Sequence, residues 1–160
     1  MIHIVPAVTA TQLRDARALF LEYASSLGFD LRFQDFDREV ATLPGAYARP
    51  AGVLLLAEVD DQAAGCVGLR PLDPLTCEMK RLFVRAPWRG RGLGRLLCDA
   101  LIAEAQRSGY ARMKLDTVPQ MDRAIALYQA LGFVPCEPYC YNPLPGAMFM
   151  ELVLESRVTE

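Results

Sequence analysis

Arg89-Gly90-Arg91-Gly92-Leu93-Gly94 lies between a strand-like run, EMKRLFV, and a helix-like run, GLGRLLCDALIAEAQR. Three glycines alternate there with other residues. A helix N-terminus exposes backbone N–H groups and carries partial positive charge. Glycines let such a backbone approach an anion without interference from Cβ, and successive N–H groups form an anion-binding nest. Arg89, Arg91 and Arg95 add mobile positive charge. The chemistry available to this loop is therefore the holding of a phosphate or pyrophosphate. Two familiar phosphate loops are excluded. No GxxxxGK[ST] string occurs, and GxGxxG fails because Gly92 is followed by Gly94 and then Arg95. The competing reading is a glycine turn that caps a helix, with arginines for solubility.

Metal chemistry has weaker support. The cysteines are Cys66, Cys77, Cys98, Cys136 and Cys140; the single histidine is His3, and there is no CxxC. Structural zinc needs four nitrogen or sulfur ligands, so no metal site is expected and the thiols read as buried or half-buried. An odd number of cysteines, mostly in apolar runs, fits a reduced, cytoplasmic setting.

The elements that must position the loop can be read from pattern. The chain has 160 residues, 52% hydrophobic, with a formal charge of -2. That is the size of one domain with a proper core, and it gives no global pull toward nucleic acid or an anionic membrane. No apolar run is long enough for a transmembrane helix, and no signal peptide is read. Residues 2–8 read as a strand. Thr9 with Gln12 has the form of a capping box that opens a helix, which Gly28 stops. A short helix follows over 35–43. Residues 53–59 are a buried strand, 60–62 a turn, and 64–69 the returning strand, with Gly65 and Gly68 marking bulges. Residues 78–84 form the third strand of this meander. The helix over 92–107 has Leu93, Leu96, Leu97, Ala100, Leu101 and Ala105 on its inner stripe. A strand over 110–117, a helix over 121–131 closed by Gly132, and strands over 133–136 and 148–154 complete the chain. This is an α/β (α+β) order, antiparallel in its first half with one β-α-β crossover.

Arg89 to Gly94 fits Q/R-x-x-G-x-G/A, and the chain resembles the Gcn5-related N-acetyltransferases (GNAT) in that acetyl-CoA signature. The order of elements, the upstream KRLFVRAPWRG and the downstream ALYQALGF of Ala126 to Phe133 are similar to that family too. The resemblance implies one acetyltransferase domain over 1–160. Its sheet would be mixed, mostly antiparallel, of six to seven strands flanked by four helices. It implies transfer of an acetyl group from acetyl-CoA to a primary amine of a small molecule, an amino acid or a protein. The pyrophosphate would lie on Arg89, Gly90, Arg91, Gly92, Leu93, Gly94 and Arg95, and the pantetheine arm along the backbone of Leu82, Phe83 and Val84. Tyr128 would protonate the leaving thiolate, and Glu78 would deprotonate the amine. For Glu78 the alternative is a structural pair with Lys80, and Asp116 is a second carboxylate on the next strand. One departure is Met121, beside Gln120, where many members carry an asparagine whose side chain contacts the arm. The resemblance allows a homodimer.

The acceptor falls to the variable segments. Phe29, Phe33, Phe36, Tyr139 and Tyr141 are candidates to wall a pocket, and Asp30, Asp35 and Asp37 to bind a cationic amine. Two rival classes remain. A non-catalytic acyl-CoA sensor would keep the loop but need neither Glu78 nor Tyr128. A nucleic-acid binder is disfavoured by the acidic balance and the lack of a basic stripe interleaved with aromatics.

Overall fold

The computed structural model describes residues 1–154; the last six residues of the expected 1–160 domain lie outside them. Eleven main elements follow in the expected order: β1 (Ile2–Pro6), α1 (Ala10–Ser26), α2 (Phe36–Ala41), β2 (Val53–Val59), β3 (Gln62–Asp73), β4 (Thr76–Val84), α3 (Leu93–Arg107), β5 (Arg112–Thr117), α4 (Asp122–Leu131), β6 (Val134–Pro135) and β7 (Met148–Val153). They build one seven-stranded sheet of order β1-β2-β3-β4-β5-β7-β6. Every pairing is antiparallel except β4 with β5. Among the described residues no helix is long and apolar enough to cross a membrane.

Local chemistry sets most element ends. Thr9 Oγ1 accepts from the Gln12 N–H at 3.1 Å and Gln12 Oε1 accepts from the Thr9 N–H at 3.0 Å, so the capping box closes. Asp60 and Asp61 take φ of 50° and 67°, the left-handed pair of a two-residue hairpin turn between β2 and β3. The glycines expected at bulges do flank register shifts, Gly65 where it opposes Ala57 and Gly68 where it opposes Lys80, and they answer a second need. A Cβ on Gly68 would sit 2.6 Å from the Tyr47 ring, and one on Gly65 would sit 2.7 Å from the Phe83 carbonyl oxygen. Both permit close approach.

Side-chain alternation on β2 splits the core in two. Val53, Leu55, Ala57 and Val59 face the α3 layer, while Leu54 and Leu56 face the α1–α2 layer. The inner stripe of α3 departs from expectation. Leu93, Leu97, Cys98, Leu101 and Ala105 are buried, but Leu96 is 41% exposed. At about 100° per residue the arc from Leu93 to Ala105 spans roughly 120°; Cys98 lies only about 20° beyond its Ala105 end, whereas Leu96 falls about 60° outside its Leu93 end.

Two irregularities shape the middle of the sheet. First, β4 and β5 pair only at Thr76–Glu78 with Arg112–Lys114, so the strands part beyond that point. Second, β4 bulges: Cys66 opposes Phe83 and Gly68 opposes Lys80, which leaves Arg81 and Leu82 against Val67 alone. Arg81 holds φ at 62°, a costly value for a residue with a Cβ. Its side chain over-determines that conformation. The guanidinium donates to both carboxylate oxygens of Glu39 on α2 at 2.9 Å and lies 5.0 Å from the Phe36 ring centroid.

Candidate active site

The parting of β4 from β5 opens a groove of about 610 Å³ that continues to the start of α3. Leu82, Phe83 and Val84 wall it on the β4 side; Gly90, Gly92 and Gly94 floor it near α3. Gly90 and Gly92 have φ of 78° and 79°, and an added Cβ at either would meet nothing within 4 Å. Glycine is thus required there by the backbone angle, and the space before the loop stays open. Gly94 does another job, packing α3 against Leu127 of α4. The first intrahelical bond of α3 runs from the Leu96 N–H to the Gly92 carbonyl at 3.1 Å. The N–H groups of Leu93, Gly94 and Arg95 before it are therefore free to meet an anion.

The three arginines differ. Arg89 folds back, donating from Nε to the Val84 carbonyl at 2.8 Å and covering the Phe83 ring. Arg95 pairs with Asp99 at 3.3 Å and also lines the groove. Arg91 is exposed and lies outside the groove wall. Gln120 and Met121 line the groove opposite β4.

A second, smaller cavity of about 40 Å³ lies where β4 and β5 part, lined by Met79 to Leu82 on one strand and Leu115 to Thr117 on the other. It shares Tyr23, Phe29, Leu82 and Met121 with the groove, so the two adjoin. Tyr128 lines it. Among the described residues none hydrogen-bonds the Tyr128 hydroxyl, and none carries a fully buried side-chain oxygen without a partner, so this hydroxyl faces the cavity. Burial, with smaller contributions from the Cys98, Tyr23 and Asp116 side chains, pushes the phenol well above its ordinary pKa. It therefore holds its proton at neutral pH.

Glu78 lies behind the cavity wall, at the end of β4 still paired with β5. It is 1% exposed. Its Oε1 accepts from Arg70 Nε at 2.7 Å and its Oε2 from the Tyr139 hydroxyl at 2.5 Å. Lys80, the expected neighbour, is farther away at 3.9 Å. Asp116 does line the cavity, accepting from Asn142 Nδ2 at 3.0 Å. One oxygen each of Glu78 and Asp116 and the Cys140 sulfur lie within 4.8 Å of one another, with the Lys80 ammonium reaching both carboxylates.

The acceptor-segment expectations divide. Phe29 lines the groove and the cavity, and Phe33 meets Tyr141 edge-on at 6.4 Å. Phe36 is core, stacked under Arg81. Tyr139 reaches Glu78 rather than the cavity, and Tyr141 is exposed. Asp30 pairs with Arg32, and none of Asp30, Asp35 or Asp37 lines the cavity. The carboxylate that does is Asp116. Sequence reasoning missed Arg70, Asn142 and the ligand role open to Lys80. The available signal was the alternation of charged Glu78 and Lys80 with apolar Cys77 and Met79 on a strand flanked by buried strands.

The family model "Acetyltransferase (GNAT) family" matches residues 13–133. The uncharacterized N-acetyltransferase C1271.07c of Schizosaccharomyces pombe is 41% identical over 142 residues, covering 88% of this chain and 87% of its own length. An uncharacterized N-acetyltransferase of Dictyostelium discoideum is 30% identical, covering 88% of this chain and 94% of its own. Among solved structures, a GNAT-family acetyltransferase from Staphylococcus aureus superposes with a TM-score of 0.80 at 20% identity, covering 97% of this chain and 100% of that one. YncA of Salmonella typhimurium, solved with its cofactor acetyl-CoA, superposes with a TM-score of 0.74 at 22% identity, covering 100% and 98%. A split mixed sheet, a glycine loop at a helix N-terminus and these relatives agree: the chain belongs to the GNAT acetyltransferase family and is an acyltransferase.

Proposed function

We propose that the protein transfers an acetyl group from acetyl-CoA directly to a primary amine of a small molecule, an amino acid or a protein. The observation that carries this reading is the adjacency of the groove and the cavity, which share Tyr23, Phe29, Leu82 and Met121 as walls, with Tyr128 lining the cavity. The Salmonella neighbour's bound acetyl-CoA supports the identity of the groove's ligand. The free N–H groups at the start of α3 suit the pyrophosphate, and the open edge of β4 from Leu82 to Val84 suits an extended pantetheine arm. The residues present fit such a ligand, since the loop leaves its space clear.

In this reading the amine nitrogen attacks the thioester carbonyl. A nitrogen–carbon bond forms, the carbon–sulfur bond breaks, and Tyr128 gives its proton to the departing thiolate. The proton lost by the amine passes to the carboxylate pair Asp116 and Glu78. A thiol with a pKa near roughly 8.5 leaves more readily with a proton supplied. Release of free CoA thiol in a screen of amine acceptors tests the reaction; hydrolysis only, with no acetylated amine in any well, would count against it.

Gly92→Val is expected to weaken CoA binding by roughly tenfold or more, because the strain of a β-branched residue at a left-handed φ is worth about 1–3 kcal/mol. Arg91→Ala should cost less, since Arg91 lies outside the groove wall. Titration calorimetry of both variants decides this, and equal binding by the glycine variant would refute the backbone cradle. Glu78→Gln is expected to leave acetyl-CoA affinity nearly intact and to depress kcat most at low pH, where free amine is scarce. A pH–rate profile that matches the parent would make Glu78 a structural partner of Arg70 and Tyr139.

A further inference from the structure

The cavity wall beside Tyr128 carries one loosely paired cation and one loosely paired anion. Lys80 donates to Gln34 Oε1 at 3.1 Å, while its nearest carboxylate oxygens stand at 3.5 Å on Asp116 and 3.9 Å on Glu78. An ammonium has three donors, so two of them reach only ion-pair range. Asp116 is complementary. Its Oδ2 is taken by Asn142 and Cys140, but its Oδ1 has only the distant Lys80. The neighbouring arginines contrast with this pair: Arg70 donates to Glu78 at 2.7 Å and Arg81 to Glu39 at 2.9 Å.

Charge balance narrows what can enter. Arg70, Lys80 and Arg81 face Glu39, Glu78 and Asp116, three cations against three carboxylates in one largely dry layer. An acceptor that arrives as a bare ammonium leaves that layer with uncompensated positive charge. An acceptor that brings a carboxylate as well keeps it neutral, which costs less where water is excluded. Burial already depresses the Lys80 ammonium pKa despite Glu78 and Asp116 beside it, so a further anion there is favourable. The space is small, about 40 Å³.

We infer that the acceptor is a small free amino acid, its carboxylate held by Lys80 and its amine turned toward Asp116. This rests on the acetyl-transfer reading above. It makes Lys80 a specificity-determining residue, and it disfavours peptide and protein amines, whose α-carboxyl is an amide.

The test compares glycine, alanine, serine and threonine, each beside its carboxamide and its decarboxylated amine. Acetyl transfer is followed by thiol release, and binding to the CoA-loaded protein by calorimetry. The free acids are expected to exceed the amides and amines in kcat/KM by roughly 100-fold, the usual scale for a desolvated charge contact. In Lys80→Met that ratio should shrink to within about threefold. Because the parent protein alone shows the preference, a variant that fails to fold leaves the test intact. Comparable turnover of amines and amino acids would overturn the inference and leave the transferase reading standing. Binding of the free acids without any transfer would sink the transferase reading and overturn the acceptor role with it, leaving only a carboxylate contact at Lys80. Absence of both binding and transfer across the panel would overturn the inference.

Discussion

Tyr128→Phe is expected to slow single-turnover acetyl transfer by roughly 10²–10⁴-fold, the usual worth of a positioned proton donor. The substitution removes one hydroxyl and keeps the ring, which packs 5.8 Å from the Phe133 centroid. The hydroxyl gives no hydrogen bond to any described residue, so folding stability should move by less than about 1 kcal/mol. The contrast is the point of the measurement. A tyrosine that only packs would keep its rate in the Phe variant. Single-turnover conditions are needed because product release can limit steady-state turnover and conceal a slower chemical step. The raised phenol pKa adds a pH expectation: the donor stays protonated across the neutral range, so Tyr128 itself imposes no loss of rate there. A Phe variant with the parent's single-turnover rate would remove Tyr128 from the mechanism.

Arg81→Met is expected to lower folding stability by about 3–5 kcal/mol at pH 7, the scale for breaking a buried ion pair from one side. Methionine keeps much of the apolar stem against Phe36 but leaves Glu39, at 11% side-chain exposure, with Tyr47 as its remaining hydrogen-bond partner. The pH dependence follows from Glu39. Burial alone would raise its carboxyl pKa, yet the hydrogen bonds and charge of Arg81 outweigh burial and hold it below its ordinary value. A depressed carboxylate pKa contributes stability that is full above the unfolded value, near roughly 4.3, and is lost as pH falls through the folded value. The gap between parent and variant should therefore be widest at neutral pH and close under acid. Urea denaturation at several pH values measures it. Glu39→Gln in the Arg81→Met background should recover part of the loss, because it removes the orphaned charge. A pH-independent gap would show that the cost is the backbone at the bulge rather than the pair.

Much of the architecture was legible in residue patterns, because those patterns answer to local physics. The capping box at Thr9 and Gln12, the paired aspartates at the β2–β3 turn and the glycines after α3 and α4 act over a few residues, and each behaves as its type requires. The anion cradle was legible for the same reason: Gly90 and Gly92 supply left-handed backbone at a helix start, which is a property of one short segment. Gly65 and Gly68 show where that reasoning stops. Their type was visible, but the atoms they make room for, on Phe83 and Tyr47, arrive from elsewhere in the chain.

Function at the acceptor end was set by tertiary structure. Asp30, Asp35 and Asp37 were the carboxylates nearest an aromatic-rich segment in sequence, yet the cavity is lined by Asp116, from a strand beyond the crossover. Lys80 and Asp116 meet because β4 and β5 are parallel neighbours whose alternation turns both side chains to the same face. The cavity exists because those strands stop pairing after Glu78 and because Arg81 holds a bulge against a helix 42 residues away in sequence. Residue type and spacing thus determined the helices, the hairpin and the anion loop of this protein. Which charges face one another in the cavity was decided only by the sheet, since pairing distance in space is independent of distance along the chain.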